Sequence, residues 1–356
     1  MPGPSSRSFA RSSSSQSGFG PMSDSTSHFG SYVDERGYSA RFSASREATP
    51  QPNNPVVPVA THLPRRLENQ VLGQWRLGDS GAMTELDPLI HAFYRDRYVE
   101  DERLSRTAHG QLEFLRTQEL LRRHFPVPPA TILDVGGATG VHARWLAADG
   151  YDVHLIDPVP EHVEQAAAAG TFTASVGDAR DLEQADASVD VTMLLGPLYH
   201  LAEAADRAQA LAEAARVTKP GGLVVAAGIS RYAELLEVGA NGWLTADTQA
   251  LVVDALATGR HHDLPNGFTS AYFHHADELA TELRTAGLTE VTVFGVEGPS
   301  APALDNVPLD QVPALLDAAI RCARVLETDP ALISASPHFL GVARPGQAVY
   351  AARRAR

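Results

Sequence analysis

Cysteine is nearly absent from this 356-residue chain: Cys322 stands alone. A single thiol excludes an internal disulfide and a cysteine-rich metal site, and it suits a reducing, cytoplasmic setting. Lysine is as scarce, with Lys219 the one example, so arginine supplies every other fixed positive charge. Positive charge is short overall: 29 Lys and Arg face 43 Asp and Glu, a formal net charge of −14. An acidic body of this size argues against a broad phosphate-binding face, and nucleic acid is not expected as a partner. Long apolar runs are missing too. Segments such as "LVVAAGI" (223–229) fall short of the roughly 20 residues a membrane helix needs, so no membrane partner is expected.

What remains is ordinary globular material, 44% hydrophobic and able to bury a sizeable core. Residues 1–70, with "RSSSSQSGFG" and "TPQPNNPVVP", are rich in Ser, Gly, Pro and Asn and read as a disordered tail. Residues 71–128 read as an N-terminal helical cap. In "GQLEFLRTQELLRRHF" Leu112, Leu115, Leu120, Leu121 and Phe125 share roughly one helical face. "PVPPA" then breaks the helix. Candidate strands follow at 130–135, 152–157, 173–177, 189–195 and 223–229, separated by Ala-rich helical patterns. Such alternation indicates a doubly wound α/β fold, a parallel sheet covered on both faces. Residues 230–276 do not repeat the unit and read as a cap insertion over an acceptor pocket. The sheet domain spans 129–346, and 347–356 form a C-terminal tail.

The stretch "TILDVGGATGVHARWLAADGYDVHLIDP" carries the sharpest signal: a strand, a glycine-rich turn, a helix, and a second strand ending on an acid. A dinucleotide fingerprint needs G-x-G-x-x-G. Counted from Gly136 its later glycines would fall on Ala138 and Val141; counted from Gly137, on Thr139 and His142. Neither frame fits. A P-loop needs a lysine that this loop lacks.

The pattern D-x-G-x-G-x-G, here Asp134, Gly136, Ala138 and Gly140, resembles the first motif of class I S-adenosylmethionine-dependent methyltransferases. Asp157 closing "HLID", Asp178 in "VGDARDL", the segment "DVTMLLGPLYHL" and "ALAEAARVTKPGGLVVAAG" match the later motifs in order. "LLGPLYHL", "ISRYAELL" and "TSAYFHHADEL" are similar to a bacterial branch of that superfamily of mostly unassigned substrate. The resemblance implies a seven-stranded Rossmann-like sheet whose last strand is antiparallel, and S-adenosylmethionine as the methyl donor. It also implies a donor site. Asp134, Gly136, Gly137, Ala138 and Gly140 would sit against the methionine moiety, Asp157 and Pro158 at the ribose, and Asp178, Ala179 and Leu195 at the adenine side. Arg116 is a candidate for the donor carboxylate, with pairing to Glu113 or Glu119 as the alternative.

Methyl transfer needs alignment and exclusion of water more than a strong catalytic constellation. Tyr199 and His200, just past the fourth strand, are the candidates nearest the transferred methyl, with His200 a base or an orienting group. Packing against the preceding helix is the other reading for both. Tyr98, Tyr272 and His274 are candidates for the acceptor pocket. The neighbouring pairs His261–His262 and His274–His275 cannot chelate through adjacent rings, which splay apart on a helix or a strand, so no metal is expected. The expected acceptor is a small molecule offering an O, N or C nucleophile, and the oligomeric state stays open. A peptide or protein acceptor is the alternative, with an NAD(P)-dependent oxidoreductase or a non-catalytic binding protein further behind.

Overall fold

The computed structural model describes residues 104–261, 268–304, 307 and 311–354, all inside the compact unit Ser80–Arg356. The expected tail over residues 1–70 and the first part of the helical cap lie outside the described residues.

The first described long helix, α1 (Ala108–His124), starts where the Thr107 side chain accepts from the Gly110 amide at 2.9 Å. Arg122, Arg123 and His124 occupy its last turn, where positive charge suits the helix dipole. Then come β1 (Thr131–Val135), α2 (Val141–Ala148), β2 (Asp152–Asp157), α3 (Pro160–Ala167), β3 (Thr173–Val176) and β4 (Val189–Leu194). The short α4 (Pro197–His200) and then α5 (Ala204–Val217) lead into β5 (Thr218–Ser230). Residues 231–275 hold α6 (Ala233–Ala240), α7 (Ala246–Thr258), β6 (Arg260–His261) and β7 (Ala271–His274). The remainder includes α8 (Ala276–Thr285), β8 (Leu288–Gly295), α9 (Val312–Leu326) and β9 (His338–Pro345), and a closing helix, Gln347–Arg354, stands where a C-terminal tail was expected.

The main sheet runs β3-β2-β1-β4-β5-β9-β8. Neighbours from β3 to β5 are parallel, and β9 lies antiparallel between β5 and β8. These seven strands are the mostly parallel Rossmann-like sheet with an antiparallel last strand. The insertion adds to it. β7 pairs in parallel with the end of β5 through Ile229 and Ser230, and β6 pairs with β7, which makes nine strands in all. β5 begins five residues before the expected 223. Thr218 already faces Val189, and the chain bulges through "KPGG" before Leu223 meets Val191. Gly221, at φ +78°, takes the left-handed turn of that bulge.

Each face of the sheet carries its own core. Leu133, Val135, Ile156, Val224 and Ala226 pack with Leu211 and Ala214 of α5 and Leu279 and Leu283 of α8. On the opposite face Ile132, Val153, Leu155, Val191 and Met193 meet Leu120 and Leu121 of α1 and Ala143 and Leu146 of α2. Burial on both faces is why β1 reads as a continuous apolar run rather than an alternating one. Against that run Asp134 is an exception, and side-chain alternation puts it on the face of Ile132. Among the described residues no helix is long and apolar enough to cross a membrane.

Candidate functional site

A cavity opens at the carboxyl ends of β1, β2 and β4, the edge where open α/β sheets bind ligands. Asp134, Gly136, Gly137, Ala138, Asp157, Pro158, Asp178, Ala179, Leu195, Tyr199 and His200 all border it. Gly140 does not line the wall; at φ +86° it is the N-cap of α2.

Asp134 is 1% exposed, and among the described residues its Oδ2 has no hydrogen-bond partner. Burial, then the charge of Asp157, push its carboxyl from the usual 3.8 up to about 7. A buried carboxyl facing a cavity in this state favours a ligand that brings positive charge. The loop after β1 is tight. The Gly136 and Gly137 amides both donate to the Ile156 carbonyl, at 2.7 and 3.3 Å. A Cβ on Gly137 would lie 2.8 Å from the Asp134 carboxyl carbon and 2.7 Å from Leu155, so the close approach itself requires glycine. Ala138, at the position where the motif has its middle glycine, sits at φ +46°. The left-handed region strains any residue with a Cβ.

Asp157 is 5% exposed and held on three sides. Its Oδ2 accepts from the Ala138 amide at 2.9 Å; its Oδ1 accepts from the Val159 amide at 3.0 Å and lies 3.2 Å from His162 Nδ1. It therefore ties the glycine loop to the start of α3 while bordering the cavity. Asp178 has a partner that sequence reading missed. Arg180 donates to it through the backbone amide at 2.8 Å, Nε at 2.9 Å and Nη2 at 2.6 Å. Burial pushes the Asp178 carboxyl up, but these bonds outweigh burial and hold it below the ordinary range. Arg180 borders the cavity too.

Tyr199 gives its hydroxyl to the Leu195 carbonyl at 2.8 Å, and its ring meets the His200 ring edge-on at 4.8 Å. Burial pushes the His200 ring down to about 3. A ring so reluctant to take a proton is neutral at ordinary pH, which corrects the expectation of a base at this position. As a neutral hydrogen-bonding group it remains at the cavity wall.

Three other expected positions fall elsewhere. Arg116 is fully buried beneath the N-terminal helix, not at the cavity. It donates to Glu119 at 2.6 Å, Glu327 at 2.5 Å and the Val296 carbonyl at 3.2 Å, which leaves no role at a donor carboxylate. Of its two readings, pairing with Glu119 is the one observed. Tyr272 does not reach the cavity wall, because its ring lies under the Arg207 guanidinium at 3.7 Å and its hydroxyl accepts from Arg231 at 3.1 Å. His274 is fully buried, with Nε2 3.3 Å from Glu282, which Arg207 also grips. None of the described residues in 230–276 borders the cavity. Tyr98 lies outside the described residues, as does His262.

The opposite wall holds a group not anticipated from the sequence. Glu113 of α1 and His338, the first residue of β9, both border the cavity, and behind His338 lies the fully buried Glu297. No local spacing could have found this group, since Glu297 and His338 are joined only by the β8–β9 pairing.

The comparisons with known proteins agree with the motif order. The family model for a methyltransferase domain matches residues 132–222. An uncharacterised methyltransferase of Mycobacterium tuberculosis is 30% identical over 153 residues, 43% of this chain and 59% of that protein. One from Mycolicibacterium vanbaalenii is 39% identical over 100 residues, 27% of this chain and 37% of its own length. The chain thus spans less than two thirds of these curated relatives. Among solved structures, a methyltransferase of Methanosarcina mazei aligns with TM-score 0.45 at 17% identity, covering 64% of this chain and 97% of that one. Residues 132–222, from β1 into β5, thus match a methyltransferase domain and resemble the class I S-adenosylmethionine-dependent superfamily.

Proposed function

We propose that the protein moves a methyl group from S-adenosylmethionine to an O, N or C nucleophile of a small-molecule acceptor. The observation that carries this reading is the pair of buried carboxylates around one glycine loop. Asp134 faces the cavity with an unpartnered oxygen, and Asp157 is oriented by the loop's own Ala138 amide. The donor offers positive charge to Asp134 and ribose hydroxyls to Asp157, and its sulfonium makes the methyl electrophilic. Asp178 and the Ala179 backbone would take the adenine edge, with Arg180 keeping the Asp178 carboxylate ionised and in place. Pro158, Leu195 and Tyr199 supply apolar walls that exclude water. The chemistry then depends mainly on alignment. One relative, of Acidiphilium cryptum, is named a ubiquinone/menaquinone biosynthesis C-methyltransferase and is 37% identical over 128 residues. That name makes carbon one of the nucleophiles to test, together with oxygen and nitrogen.

The test is thermal. S-adenosylhomocysteine is expected to raise the melting temperature of the wild type, and Asp157→Ala is expected to abolish the rise. A wild type that ignores saturating ligand but responds to a nicotinamide dinucleotide would replace this reading with an oxidoreductase.

A further inference from the structure

The cavity wall opposite the glycine loop is built from the ends of β8 and β9 and one face of α1. Glu297 follows β8 and is 0% exposed; His338 opens β9 and borders the cavity. His338 Nδ1 lies within hydrogen-bond distance of Glu297 Oε1, and the His338 backbone amide donates to Oε2 at 3.0 Å. The Ser336 hydroxyl donates to the same Oε2 at 2.9 Å and accepts from the Glu297 amide at 2.9 Å. The serine hydroxyl and the backbone amide both donate to this carboxylate, so it is built to be an ionised acceptor. Burial pushes Glu297 up, but the adjacent His338 more than offsets this and the carboxyl is held below its ordinary range. Titratable groups stand near the pair on α1 as well: Glu113 Oε2 lies 3.9 Å from Nδ1, and His109 lies 4.0 Å from Glu297. Arg116, one turn further along α1, grips the Val296 carbonyl next to Glu297.

A carboxylate that accepts from Nδ1 fixes the tautomer, because Nδ1 must then carry the hydrogen. Nε2 becomes the basic nitrogen of a ring that stands at the cavity edge. A base, oriented by a buried acid and set in a cleft, has the logic of an activated nucleophile site. Here the nucleophile would be the acceptor.

Resting on the donor reading above, we infer that His338 is the catalytic base of the transfer, that Glu297 is its positioning residue, and that the acceptor carries a weakly acidic hydroxyl, as a phenol or enol does. A neutral amine attacks through a free lone pair and has little use for such a dyad; a hydroxyl must lose its proton to become a strong nucleophile. The acceptor O–H proton passes to Nε2, the oxygen electron pair forms the new O–CH3 bond, and the S–CH3 bond breaks with its electrons returning to sulfur. Neutral S-adenosylhomocysteine is left, and the imidazolium, stabilised by Glu297, returns its proton to solvent. His200 is the poorer base, because burial disfavours its protonated form, and Tyr199 has its hydroxyl committed to Leu195.

The experiment uses the full chain with 4-nitrophenol as the acceptor probe. In the presence of S-adenosylhomocysteine, the wild type is expected to bind the probe as the yellow phenolate at a pH below its ionisation in free solution. His338→Gln should lose that band while keeping the thermal response to S-adenosylhomocysteine, and with the donor present should transfer about 10²–10⁴-fold more slowly. For Glu297→Gln, ring-nitrogen NMR should show the His338 titration midpoint falling by about one pH unit or more, while Glu297→Asp restores most of it. Transfer in the wild type should rise with pH through that midpoint. A midpoint unmoved by Glu297→Gln, a phenolate band that survives His338→Gln, or failure of the wild type to bind any of a series of substituted phenols would each overturn the inference. Failure of the wild type to bind S-adenosylhomocysteine would instead strike the donor reading, and the NMR midpoint would still decide the dyad.

Discussion

Replacing Asp134 by Asn should make the ligand-free protein more stable at alkaline pH while weakening its hold on the donor. The carboxyl is buried, and burial together with Asp157 raises it from 3.8 to about 7. An acid raised in the folded state binds a proton there that the unfolded chain has already released, so stability falls as pH climbs from 3.8 to about 7 and the full cost stands above that. At 1.36 kcal/mol per pH unit the cost approaches roughly 4 kcal/mol above pH 7 and is about 1.6 kcal/mol at pH 5. Asn has the same shape and no charge. The stability difference between Asp134→Asn and wild type should therefore widen by about 2–3 kcal/mol between pH 5 and pH 8. For a domain of this size that is on the order of 5–10 °C in melting temperature. Thermal unfolding at half-unit pH intervals, without ligand, is the assay. Parallel curves across the window would refute the reasoning, since they would mean that Asp134 ionises as an ordinary carboxyl. Adding S-adenosylmethionine should narrow the gap, because its positive charge stabilises the ionised Asp134 and has nothing comparable to meet in Asn.

Other substitutions probe separate parts of the molecule. Ala138→Gly should raise stability by roughly 0.5–1 kcal/mol, because φ +46° strains alanine and not glycine, and it should leave S-adenosylhomocysteine affinity intact; a lower melting temperature would contradict the assignment. Gly137→Ala should cut donor affinity at least tenfold in an equilibrium titration, since its Cβ would meet the Asp134 carboxyl at 2.8 Å. Arg116→Ala should cost about 1–3 kcal/mol in denaturant unfolding by leaving the Val296 carbonyl without its donor, while Glu119 and Glu327 keep Arg123 and Arg324 as partners. Tyr272→Ala should cost on the order of 2 kcal/mol by uncovering Arg207 and should leave the S-adenosylhomocysteine dissociation constant unchanged, whereas a ligand-site role would raise it.

Much of the donor side was legible in the sequence because its determinants are local. The glycine loop and Asp157 lie within one β-α-β unit, and Asp178 follows the next strand, so spacing alone brings them to one sheet edge. What the sequence hid was carried by distant partners. Arg116 is bound by Glu327, 211 positions away, and a guanidinium read as a candidate for the donor carboxylate or a helix neighbour is locked in the interior. Tyr272 and His274 have the composition of a ligand wall, yet Arg207, Arg231 and Glu282 enclose them in a buried network. His200 stands at the expected place, and only its burial, invisible in the motif, strips it of basicity. Glu297 and His338 meet because β8 and β9 run antiparallel, with Gly295 opposite Phe339, a pairing no periodicity reveals.

The central claim, that the cavity at the carboxyl ends of β1, β2 and β4 holds S-adenosylmethionine, is most directly tested by calorimetric titration of the purified chain with S-adenosylhomocysteine. One-to-one saturable binding, lost in Asp157→Ala while that variant remains folded, is the expected result. Absence of any binding heat at millimolar ligand and at several temperatures, or binding indifferent to Asp157, would contradict it.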